Sequence, residues 1–198
     1  MPTHRDPRRL RHFVAAALFG LFTGVTHAAP WTLDALLARL AQQKSGQATF
    51  VEKKTLTLLD APVESSGTLS FTAPDRLEKR TLRPRPELVR LQGDTLVVEQ
   101  AGKAPMTLKL ASYPEAAAFV DSIRATLAGD RQALEATYRL SFSGEPTAWQ
   151  LILLPRYSRM SDLISRIVIR GREGDVQRID FDMADGDRSE MRIQRTTP

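Results

Sequence analysis

The sequence predicts an α+β fold: a curled antiparallel sheet of about ten strands, an incomplete barrel, with an N-terminal helix and an inserted helix over its concave apolar face. Three observations predict it. First, Ser165–Arg195 alternates apolar and charged residues in three segments, around Ile167 and Ile169, then Ile179, Phe181 and Met183, then Met191 and Ile193. A period of two sends alternate side chains to opposite faces of a strand. Gly171, Glu173-Gly174 and Asp185-Gly186 fall between the segments, where tight turns favour Gly or Asp. Second, two stretches have helical spacing, one at Leu33, Leu36, Leu37 and Leu40, the other from Ala116 to Leu127. Third, a sheet with one apolar face must cover it, and a sheet this large curls rather than staying flat.

Taken in order, the chain begins with a stretch outside that fold. Arg5, Arg8, Arg9 and Arg11 precede the apolar run Phe13–Val25, and Thr26-His27-Ala28 ends in a small residue. This is the pattern of a secretory signal peptide over residues 1–28, leaving residues 29–198 as one mature domain. Without it the formal charge of +5 falls to +2, since 24 basic and 22 acidic residues remain. A nucleic-acid partner is not expected at that balance. All three histidines lie in the signal, and the chain has no cysteine. The mature chain therefore lacks the residues of Ser-His-Asp and Cys-His catalysis, the usual zinc ligands and disulfides. Neither enzymatic activity nor a cofactor is expected. No later apolar run approaches the roughly 20 residues of a membrane span. The expected product is an exported, soluble, periplasmic monomer.

Thr32 is a good N-cap for the first helix, with Asp34 in its first turn and Ser45-Gly46 as its stop. Gln47–Leu59 reads as a strand and, after Asp60-Ala61-Pro62, Val63–Ala73 returns. Strands follow at Arg76–Leu82, Glu87–Gln92, Thr95–Glu99 and Met106–Leu110, punctuated by prolines and by Gly93-Asp94 and Gly102. Ala116, Phe119, Val120, Ile123 and Leu127 then mark an amphipathic helix from Pro114-Glu115 to Gly129. Arg131–Ala136 adds a helical turn. Tyr138–Ser143 and Trp149–Leu154 form a hairpin, and the continuous run Leu151–Leu154 predicts a strand covered on both faces.

Several ordered segments between Gly46 and Val98 resemble the LolA-like family of periplasmic carriers of outer-membrane lipoproteins. Ala48-Thr49-Phe50 with Glu52 is similar to its early strand. Gly67-Thr68-Leu69-Ser70-Phe71 followed by Pro74-Asp75-Arg76-Leu77 is similar to its second strand and the proline after it. Leu91-Gln92-Gly93-Asp94-Thr95-Leu96 is similar to its strand–Gly–strand hairpin. The resemblance implies a curled sheet closed by a helical lid around a cavity for the acyl chains of a lipidated protein or another acyl-chain lipid. It also implies an inner-membrane transporter and an outer-membrane acceptor as partners. Envelope-stress sensors of the RseB type share the architecture and give the alternative, a non-catalytic interaction module. Typical carriers place an arginine just before the proline, where it holds the lid shut. This chain has Ala73 there. Lid closure is then expected to rest on apolar contacts, and the helix Ala116–Leu127 to open readily.

The candidate lipid-binding residues are Phe50, Leu69, Phe71, Leu77, Leu96, Val98, Ile167, Ile169, Ile179, Phe181, Met191 and Ile193. For each one singly, ordinary packing against the helices is the competing reading. Asp180, Asp182, Asp185 and Asp187 cluster around Gly186 without the spacing of a calcium loop, and read as a solvated strand face and turn. Arg76, Lys79, Arg80, Arg83 and Arg85 form a basic run with two readings. One is a surface for acidic partners or lipid headgroups; the other is a solvated sheet edge kept charged against unwanted pairing.

Overall fold

The structure, a computed structural model, describes residues 30–196; the expected signal peptide lies outside them. Eleven strands form one antiparallel sheet that does not close into a barrel. The first six run outward from its middle: β1 (Ser45–Thr55), β2 (Val63–Thr72), β3 (Arg76–Arg83), β4 (Glu87–Gln92), β5 (Thr95–Gln100) and β6 (Met106–Lys109), the last an edge. The chain then crosses to the opposite edge through a 3-10 turn (Leu110–Ser112) and two helices, α2 (Pro114–Ala128) and α3 (Arg131–Thr137), which follow the N-terminal α1 (Leu33–Ala41). From that edge β7 (Tyr138–Glu145), β8 (Ala148–Pro155), β9 (Ile164–Arg172), β10 (Asp175–Met183) and β11 (Arg188–Arg195) step back inward until β11 pairs with β1. A short α4 (Ser158–Ser161) joins β8 to β9.

The local chemistry is mostly what the sequence dictates. Thr32 Oγ1 accepts a hydrogen bond from the Ala35 amide at 3.2 Å, and Leu36, Leu37 and Leu40 bury one face of α1. Asp130 caps α3 in the same way. Gly129 ends α2 in the left-handed region at φ 68°, and a Cβ there would meet the Leu37 carbonyl oxygen at 2.4 Å. Glycine thus both terminates α2 and lets it abut α1. β1 is shorter than the sequence pattern suggests, because Thr57 leaves the strand and donates from backbone and side chain to Asp187. In the Leu151–Leu154 run, Leu151 and Leu153 are fully buried and Ile152 and Leu154 partly so, the graded covering of a strand with helices on one face only.

The convex face of β9–β11 departs from a solvated surface. Asp182 accepts from Arg166 and Arg188, Glu190 pairs with Arg178 and Arg188, and Asp180 takes both Arg170 and Arg178. The arginine stems bury Asp180 to 2% exposure. The aspartates are therefore bound within a cross-strand ladder of opposite charges. No group of His, Cys, Asp and Glu able to hold a metal ion occurs among the described residues.

Candidate functional site

Two amphipathic helices cannot cover an eleven-stranded concave face evenly, and the core divides beneath them. One cluster packs α1 and α3 on β7–β10, around Leu36, Leu134, Leu151 and Ile167. A smaller one packs α2 on β3–β5, around Leu91, Leu110 and Val120. Between them lies a cavity of about 270 Å³, roofed by Val120, Ile123, Thr126 and Leu127 of α2 and flanked by Leu40 of α1. An apolar space of this size is suited to hold something.

Nine of the twelve candidate residues line it: Leu69, Phe71, Leu77, Leu96, Ile169, Ile179, Phe181, Met191 and Ile193. The other three share the apolar face but lie elsewhere. Ile167 is fully buried in the larger cluster beneath the helices. Phe50 is 2% exposed, its ring lying under the Lys79 ammonium at 4.9 Å. Val98 lies on β5 two residues beyond the cavity-lining Leu96, opposite Val89 and Met106.

Alternation also carries polar residues inward that sequence reading passed over. Glu52 shares the parity of Ala48 and Phe50 and is 4% exposed. Its oxygens accept from Lys79 Nζ at 2.5 Å, Ser189 Oγ at 2.7 Å and Ser65 Oγ at 3.4 Å, with Lys54 Nζ at 3.6 Å. Burial pushes the Glu52 carboxyl up, but Lys79, Lys54 and Ser189 together hold it below its ordinary value. Lys79 has the parity of Leu77 and forms part of the cavity wall. β3 lies between β2 and β4, so the basic run is not on a sheet edge and one of its members faces inward. The other charged pair at the cavity, Arg195 with Asp175 at 2.7 Å, is half-exposed and marks its solvent side beside Gln43.

The expectation of a lid without a polar latch is corrected. Arg124 of α2 reaches across to the sheet, where its Nη2 donates to the Gly93 carbonyl in the β4–β5 turn and to the Asp75 carbonyl at 3.4 Å in the β2–β3 turn. The Asp75 carboxylate accepts from the Gly93 amide at 3.0 Å and ties the two turns together. Only 19% of the Arg124 side chain is exposed. The latch is thus an arginine on the lid grasping carbonyls on the sheet. On its other side α2 borders a second cavity of about 260 Å³, between Asp121, Leu134, Tyr138 and Met160. Tyr138 is buried there, and burial pushes its hydroxyl up to about 12 against a hydrogen bond with Ser122.

Among the described residues no helix is long and apolar enough to cross a membrane. A family model described as "Outer membrane lipoprotein carrier protein LolA-like" matches residues 26–196. Among solved structures, a LolA superfamily protein of Nitrosomonas europaea is similar at 12% identity and TM-score 0.45, covering 85% of this chain and 96% of that one. A lipoprotein-sorting protein domain of Vibrio parahaemolyticus is similar at 11% identity and TM-score 0.43, over 83% and 92%. The MucA/MucB complex of Pseudomonas aeruginosa is similar at 19% identity and TM-score 0.40, over 83% of this chain and 56% of that one. No curated protein matches the sequence.

Proposed function

This chain belongs to the LolA-like family of outer membrane lipoprotein carrier proteins, and we propose that it is a periplasmic, non-catalytic carrier that shelters acyl chains between its two membranes. The observation that carries this reading is the cavity itself, an apolar space of about 270 Å³ between the sheet and α2. Burying a methylene is favourable by about 0.8 kcal/mol. A chain of a dozen or so methylenes therefore needs on the order of 10 kcal/mol of shelter to leave a bilayer and cross water. The apolar lining residues supply that shelter.

A carrier must also let cargo in and out. α2 supports this, because it has unfilled space on both sides and is held to the far sheet turns by one arginine. The export signal read over residues 1–28 supports a mature domain, residues 29–198, that works in the periplasm. The partners are a lipidated protein or other acyl-chain lipid, with an inner-membrane donor and an outer-membrane acceptor. The test is displacement of an environment-sensitive hydrophobic dye. Saturable dye fluorescence that acyl lipids abolish is the expected result, and a signal unchanged at saturating lipid contradicts the reading.

A further inference from the structure

The cavity has one feature that shelter for a hydrocarbon tail does not require. Its two ends differ. At the solvent side stands the half-exposed Arg195–Asp175 pair. Toward the other end the lining includes Met191 and Phe181. Met191 is the cross-strand partner of Glu52, and Phe181 that of Ser189, which donates to Glu52. The Glu52–Lys79 pair, with the Glu52 side chain 5% exposed and that of Lys79 27%, therefore lies at the less exposed, inner end. A methyl terminus pushed there would meet charge rather than hydrocarbon.

The charges at the inner end do not balance. Lys79 and Lys54 both pair with the single carboxylate of Glu52, leaving the group at +1. Lys79 is the closest partner of Glu52, at 2.5 Å against 2.7 Å for Ser189, 3.4 Å for Ser65 and 3.6 Å for Lys54. Its own donors are not all used. An ammonium carries three donors, and the one hydrogen bond described for it goes to Glu52, with the Phe50 ring beneath. It is a cation in the cavity wall that can keep its bond to Glu52 and still offer donors to a second anion.

We propose that Lys79 seats an anionic head inside the cavity, and that the ligand is a single-chain amphiphile ending in a carboxylate or phosphate, held head-inward. The inference rests on the acyl-cavity reading above and names its ligand class. Volume limits the chain number. Pockets for small ligands run from about 300 to 1,000 Å³, and about 270 Å³ admits one chain better than two or three. Charge sets the orientation, because an anion at Lys79 gains a charge-assisted hydrogen bond that a methyl terminus cannot make.

Three ligands of one chain length separate the possibilities: hexadecanoate, hexadecyl phosphate and hexadecanol, titrated into the purified protein by calorimetry. The wild type should bind at least one anion roughly tenfold tighter than the alcohol, the loss of one charge-assisted bond. The tighter anion identifies the head. In Lys79→Met/Glu52→Gln, which removes both charges of the pair, the anions should lose their preference over the alcohol, whatever the alcohol's own affinity becomes. Circular dichroism verifies that the variant is folded. If the wild type binds all three alike, or the preference survives in the double variant, the head seat is wrong and the acyl cavity stands. If none of the three binds the wild type, both fail.

Discussion

Arg124 offers the most direct handle on lid opening. Replacing it by methionine keeps much of the apolar stem on α2 but removes every donor to Gly93 and Asp75. A hydrogen bond from a charged group contributes about 1.5–3 kcal/mol. The bond to Asp75 is long at 3.4 Å, so the pair is counted as little more than one such bond. Opening of α2 should therefore become easier by about 1.5–3 kcal/mol, a shift of roughly tenfold to a hundredfold in the open-to-closed ratio. Hydrogen exchange of the amides from Val120 to Leu127 reads this directly, because local opening limits exchange there. Their protection should drop by that factor, while amides in β8 and β9, far from the latch, stay as they are. Arg124→Lys should fall between, since one ammonium cannot reproduce the guanidinium fork. Equal protection of α2 in the wild type and Arg124→Met would refute the reasoning and leave apolar contact as what holds the lid.

Three further outcomes follow from named contacts. Glu52 has a folded pKa below its ordinary 4.5, so the stability it contributes is complete above that value and is lost as pH falls through the folded value. Urea midpoints measured between pH 7 and pH 3 should decline at the acid end, and more shallowly in Glu52→Gln. Gly129→Ala places a methyl group 2.4 Å from the Leu37 carbonyl oxygen at positive φ, and should destabilise the fold by at least about 1–2 kcal/mol in the same titration. Leu69→Asp puts a carboxylate into the cavity lining. It should weaken acyl-ligand binding roughly tenfold or more, because an apolar site does not solvate charge, while the far-ultraviolet spectrum stays that of the wild type.

Much of this architecture can be read from two periodicities. The alternation in β9–β11 placed Ile169, Ile179, Phe181, Met191 and Ile193 on one face, and the helical spacing of Leu33–Leu40 placed α1 against it. Parity alone did not separate cavity from core. Ile167 and Ile169 are two residues apart on one strand and both belong to the core cluster, yet only the second also lines the cavity. That distinction depends on where α1 and α2 end, and the spacing of apolar residues does not encode it. Glu52 and Lys79 could have been found, since each shares parity with an inward apolar neighbour, Phe50 and Leu77. Charge argues against it, since charged residues seldom face inward, and the basic run around Lys79 reads as surface. Arg124 carried no such signal. Its contacts are 31 and 49 residues away, on carbonyls that any residue type presents.

Native mass spectrometry of the protein purified from its own cell envelope tests the carrier account most directly. The account predicts a population heavier than the bare polypeptide by the mass of an acyl lipid. Collisional activation should release that lipid, and Leu69→Asp should abolish the heavier species. A bare polypeptide alone, with no mass gained after incubation with acyl lipids, would contradict it.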